Sequence, residues 1–68
     1  MKFKEYDVVR VLKDCSTKVK KDDEGVVVLV FSDPNEAYEV EFADCEGRTI
    51  EEIALCPEDI ELAKSWKA

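Results

Sequence analysis

Seventeen carboxylates, three cysteines and no histidine set the chemical repertoire of this 68-residue chain. The carboxylates come in pairs: Asp22-Asp23, Glu39 with Glu41, Glu51-Glu52 and Glu58-Asp59. Paired carboxylates do general acid–base work when burial or a like charge raises one of them. Glu39 and Glu41 alternate along an extended segment, which places them on one face roughly 7 Å apart. Such a face is expected to be solvated, which leaves both acids ordinary. Lacking histidine, the chain has no side chain whose unperturbed pKa lies near neutrality. Cys15 lies between Lys13 and Lys18, a setting that lowers a thiol pKa. Cys56 ends an apolar run before Pro57 and reads as core. With no C-x-x-C pair and no histidine, zinc has no ligand set among Cys15, Cys45 and Cys56. All three are expected as reduced, buried or half-buried small hydrophobes. Asp22, Asp23 and Glu24 share a loop but lack the spaced ligands of a calcium loop. The expectation is a non-enzyme with no cofactor and no metal.

Charge narrows the partners. The formal net charge is −7, whereas nucleic-acid binding needs a basic footprint. Residues 1–21 hold seven basic and three acidic side chains; residues 22–62 hold fourteen acidic ones and only Arg48. Such a distribution keeps a small protein soluble, and it also steers an acidic face toward a basic partner protein. The N-terminus has Lys2, Lys4 and Glu5 with no apolar segment behind them, so no signal peptide is expected. The longest apolar run, Val26–Phe31, is too short to span a bilayer. The reading is a cytoplasmic protein without a membrane segment.

Those side chains need a scaffold, and the pattern is that of short strands. Sixty-eight residues make a single domain, 1–68, with its core over about 3–62 and a tail over 63–68. Phe3–Lys13 reads as the first strand. Val19 is an isolated apolar residue among lysines, expected to pin its loop to the core. Asp22–Gly25 is a turn, with Gly25 allowing positive φ or close backbone approach. Val26–Phe31 reads as a central strand covered on both faces. A strong turn over 32–36 leads to Ala37–Phe42, where Tyr38, Val40 and Phe42 alternate with Glu39 and Glu41. Ala43–Gly47 makes a hairpin with glycine at a left-handed position. Arg48–Cys56 suits a strand with a bulge at Glu51-Glu52, or a helix face through Ile50, Ile53 and Ala54; the preceding hairpin and following Pro57 favour the strand. Pro57–Asp59 reads as one 3₁₀ turn and Ile60–Leu62 as a closing strand. Five antiparallel strands in so short a chain predict an all-β, partly open, SH3-like barrel.

On such a barrel, loops and edge strands serve as docking surfaces. The candidate partner-binding residues are Phe31, Tyr38 and Trp66, ringed by Asp33, Glu36, Glu39 and Glu41. Core packing is the competing role for Phe31 and Tyr38. Trp66 either caps the barrel or stands exposed for a partner. The chain is expected as a monomer or a homodimer through edge strands.

The order Glu5-Tyr6-Asp7-Val8-Val9, Val19-Lys20-Lys21, Glu24-Gly25-Val26-Val27-Val28, Tyr38-Glu39-Val40-Glu41-Phe42 and Pro57-Glu58-Asp59-Ile60 resembles a family of short bacterial proteins. Members carry a domain of unknown function with an SH3-like barrel, and the likeness covers about residues 3–62. Relatives often have glycine where Asp22 stands; aspartate also sits in left-handed turns. The resemblance implies company with small toxin-like or mobile-element genes, hence an antitoxin- or immunity-like role toward a partner encoded nearby. It assigns no catalytic residues. A weaker likeness, through Lys18, Lys20, Lys21 and Gly25, is to the RNA-binding loop of ribosomal and transcription-factor barrels. Asp22, Asp23 and Glu24 cancel that loop's charge, so nucleic-acid binding through Lys18–Lys21 stands second.

Overall fold

β-branched and aromatic residues separated by turn-forming clusters build five strands. A computed structural model describes residues 2–64. β1 is Val8–Val11, β2 Glu24–Phe31, β3 Ala37–Ala43, β4 Thr49–Leu55 and β5 Ile60–Lys64, with a 3₁₀ turn over Pro57–Asp59 ahead of β5. All pairings are antiparallel, and the strands form one sheet in the order β4-β3-β2-β1-β5. β4 and β5 lie at opposite edges and do not pair, so the sheet is open. No helix among the described residues is long and apolar enough to cross a membrane.

A single sheet buries a core only by curling around one of its faces. Register shifts leave Val28 of β2, Ile50 of β4 and Ala63 of β5 as extra residues against their partner strands, and such bulges bend and twist a sheet. Enclosed are Val9, Val11, Val27, Tyr38, Val40, Phe42, Leu55 and Ile60 from the strands, with Phe3 and Val19 from the loops. Val19 does pin its loop: it is fully buried, and its carbonyl accepts the amides of Cys15 (2.9 Å) and Ser16 (3.1 Å).

Gly25 sits where β2 passes close to β3. A Cβ there would lie 2.7 Å from Val40 Cγ1 and 2.8 Å from both the Glu41 carbonyl oxygen and Phe42 Cδ1. Close approach, not positive φ, is therefore its role. Left-handed backbone occurs instead at Gly47 (φ 83°) and at Asp22 (φ 79°), the position where the family resemblance places glycine.

Several expectations need correction. The first strand does not run from Phe3 to Lys13. A turn, in which the Asp7 amide donates to the Lys4 carbonyl (3.1 Å) and Tyr6 takes φ 73°, separates the buried Phe3 from β1. Asp7 is itself buried and accepts the Lys4 amide at 3.0 Å, so it caps this turn. β2 is central but covered on one face only, because 68 residues supply no second layer. The β4 bulge falls at Ile50 rather than Glu51-Glu52. β5 continues to Lys64. Cys56 is exposed at the entry to the 3₁₀ turn, and Cys45 is exposed in the β3–β4 hairpin, so neither is core. Trp66 lies outside the described residues.

Candidate functional site

Alternation along β3 sends Tyr38, Val40 and Phe42 inward and Glu39 and Glu41 outward. Pairing then fixes what stands beside those carboxylates on the outer face. Glu41 is flanked by Val26 of β2 and Glu52 of β4; Glu39 is flanked by Leu29 and Ala54; Ala37 pairs with Phe31. An apolar ridge thus runs along β2 beside a carboxylate rail on β3 and β4. Leu29 is 50% exposed and Phe31 41%, both large side chains in solvent on the part of β2 that pairs with β3 but not with β1.

The rail is crowded. Loss of hydration raises the Glu52 pKa, and the charge and hydrogen bond of Glu39, with the charge of Glu41, push the same way. Thr49 Oγ1 donates to Glu41 Oε2 at 3.2 Å. Among the described residues, no cation pairs with Glu39, Glu41 or Glu52. Across the same outer face, β1 behaves oppositely. Arg10 bridges Glu24 of β2 (3.1 Å) and Glu61 of β5 (2.7 Å), and these bonds raise its pKa. One of the two carboxylate charges on the β1 side is offset by Arg10, whereas none of the three on the β3–β4 side is paired with a cation among the described residues.

The remaining candidates separate from this face. Asp33 is exposed in the turn after β2. Tyr38 is fully buried with its ring edge-on to Phe3 (centroids 5.2 Å apart), so it offers no contact surface and belongs to the core. Its hydroxyl accepts the Lys2 (3.0 Å) and Phe3 (3.1 Å) amides and donates to Glu36. That bond, with the Lys2 amide at 3.1 Å, lowers the Glu36 pKa. Burial, then the Glu36 bond, raises that of Tyr38. Glu36 and Tyr38 therefore clamp the N-terminal segment.

The basic loop is tied down by its neighbours. The Lys20 amide donates to Asp23 (3.0 Å) and the Lys21 amide to Asp14 (2.8 Å). Lys18 lines a cleft of about 270 Å³ together with Asp23, Glu24, Phe42 and Ile50, a wall of mixed charge. Cys15 is half-buried, and its thiol is pushed up chiefly by burial, against the opposing pull of Lys13. Lys13 is paired with Asp59 at 3.3 Å. The sequence reading missed Leu29 and Glu52. Pairing register identifies both, since each stands beside a residue already known to face outward.

Residues 5–62 match a family described as Domain of unknown function (DUF4926). The chain belongs to that family. No curated protein and no solved structure matches it. The matched segment of this DUF4926 domain contains all the rail and ridge residues named above, from Val26 to Ala54, and both bridging partners of Arg10.

Proposed function

We propose that this DUF4926 domain is a small acidic protein-interaction module, a non-enzyme that holds a basic partner protein on the outer face of β2, β3 and β4. The observation that carries the reading is the unneutralised trio Glu39, Glu41 and Glu52 beside solvent-exposed Leu29 and Phe31. Uncompensated charge steers an oppositely charged partner, and desolvated apolar side chains hold it. An antitoxin- or immunity-like protein of bacteria, acting in the cytoplasm on a partner encoded nearby, fits this chemistry. The scaffold is read as a partly open SH3-like barrel. The strand order, the three bulges and the 3₁₀ turn before β5 support that reading. Charged Glu51 and Glu52 with a bulge on the β4 edge, and Glu61 and Lys64 on β5, blunt pairing between copies. This favours a monomer over a homodimer paired through edge strands.

The test is capture of a partner from the native host lysate by tagged protein at low and high salt, beside the variant E39Q/E41Q/E52Q. One stoichiometric basic protein is expected, released by salt and absent with the variant. Equal retention by the variant, with unchanged salt dependence, would refute the reading.

A further inference from the structure

β2 outruns its neighbour β1. Register pairs β1 with Glu24, Gly25 and Val26 only. Val27 bonds to the turn ahead of β1: its carbonyl accepts the Tyr6 amide (2.7 Å) and its amide donates to the Asp7 carbonyl (2.9 Å). Beyond Val27, β2 pairs with β3 alone among the described residues. Residues whose side chains share a face of a strand also turn their backbone groups to the same edge. Val27 is buried in the core and bonds toward β1, and Val30 packs against that same core. The Val30 N–H and C=O therefore point to the β1 side, where no described residue pairs with them. Leu29 and Phe31 face outward and turn their backbone groups to Glu39 and Ala37 of β3.

Exposed edges are ordinarily blunted by charge or proline. Val28-Leu29-Val30-Phe31 carries neither, in contrast to β4 with Glu51 and Glu52 and β5 with Glu61 and Lys64. The stretch is long enough, roughly 10 Å at strand rise, to seat a short added strand. In that strand the residue opposite Val30 shares the inward face, and its two neighbours face outward beside Leu29 and Phe31. Glu39 lies one strand spacing beyond Leu29, roughly 10 Å from the added backbone. A lysine or arginine at an outward position lays its aliphatic stem on Leu29 or Phe31 and carries its charge toward the rail. A second copy of this chain paired through the same edge would bring Leu29 and Phe31 but no cation, and would leave Glu39, Glu41 and Glu52 uncompensated.

Resting on the interaction-module reading, we infer that the basic partner docks an extended segment as an added strand on the Val28–Phe31 edge of β2. An inward apolar residue of that segment exchanges backbone bonds with Val30. Lysines or arginines on either side of it cover Leu29 and Phe31 and meet the carboxylate rail. Charge complementarity selects this occupant over a second copy of the chain.

The test uses the intact protein and fluorescein-labelled peptides of about six residues that alternate lysine with valine, the period of a strand. One is unmodified, one is N-methylated at its valines and one at its lysines. Charge and side chains are the same in all three; only the valine amides are expected to face Val30. Anisotropy titration should show valine N-methylation weakening binding about tenfold and lysine N-methylation leaving it nearly unchanged. V30P removes an N–H that the β2–β3 ladder does not use, so it is expected to keep the far-UV spectrum and lose the peptide. L29T/F31T, which keeps strand propensity at two exposed positions, is expected to weaken the peptide as well. In the free protein the Val30 amide should exchange with solvent faster than those of Leu29 and Phe31, and the peptide should slow it. Equal binding of the two N-methylated peptides, or a Val30 amide already protected in the free protein, would overturn the added strand and leave charge-driven docking standing. Concentration-dependent dimerisation that V30P abolishes would overturn it in favour of a second copy. Peptide binding that ignores E39Q/E41Q/E52Q would overturn both readings.

Discussion

Replacing Gly25 with alanine is expected to destabilise this domain, although alanine in a strand ordinarily gains about 0.5–1 kcal/mol over glycine. The added methyl would meet Val40 Cγ1 at 2.7 Å, the Glu41 carbonyl oxygen at 2.8 Å and Phe42 Cδ1 at 2.8 Å. Val40 and Phe42 are buried, and the Glu41 carbonyl belongs to a strand paired on both sides. None of the three can swing into solvent. Overpacking of this kind costs about 1–3 kcal/mol; three contacts below 3 Å put this site in the upper part of that range, about 2–3 kcal/mol, which leaves a net loss of about 1–2.5 kcal/mol after the propensity gain. A 68-residue domain has only roughly 3–10 kcal/mol to lose, and the expected fall in Tm is about 4–20 °C. Urea titration followed by far-UV circular dichroism reads the change as a lower midpoint with an unchanged slope. Gly47 is the control, because an added Cβ there meets nothing within 4 Å while its φ is 83°. Asparagine tolerates left-handed backbone, so Gly47→Asn should be mild and Gly25→Asn severe. A Gly25→Ala midpoint equal to or above wild type would refute the close approach of β2 to β3.

Other outcomes follow from the same structure. Tyr38→Phe removes a hydroxyl that serves the Lys2 and Phe3 amides and Glu36, and should cost about 1–3 kcal/mol in the same titration. The Glu36 pKa is lowered in the fold, so Glu36 contributes stability above its ordinary value that disappears as pH falls through the folded value. Tm against pH should thus be flatter in that acid window for Glu36→Gln. Glu52 has the opposite sign: its pKa is raised, so its ionised form opposes folding above the folded value. Glu52→Gln should raise Tm near neutral pH and lose that gain under acid. A disulfide-exchange reagent should modify exposed Cys45 and Cys56 quickly and Cys15 slowly, since Cys15 is half-buried with its pKa pushed up.

What the sequence disclosed depended on whether residue type reported side-chain direction. In β3, alternation of aromatic or valine residues with glutamate does so directly, and the segment folds as read. In β2 nearly every residue is apolar, so composition conceals which side is wet. Only pairing with Glu39 and Ala37 shows that Leu29 and Phe31 face out. The turn that detaches Phe3 carries no glycine or proline: Asp7 caps it and Tyr6 supplies the left-handed step. Cys56 reads as the end of an apolar run but lies at the entry to the 3₁₀ turn, beyond the last inward position, Leu55. Of the candidate site residues, Phe31, Glu39 and Glu41 meet on one face, while Tyr38 follows its own alternation inward and takes Glu36 with it. Leu29 and Glu52 complete the face through register, a long-range property that no local pattern encodes.

The most direct measurement is chemical-shift mapping of isotopically labelled protein titrated with the partner captured from its host. The largest perturbations are expected on Leu29, Phe31, Glu39, Glu41, Glu52 and Ala54, and they are expected to fade in L29T/F31T. Perturbations centred on the Lys18–Lys21 loop or on the β5 edge, with the β2–β3–β4 face unmoved, would contradict it.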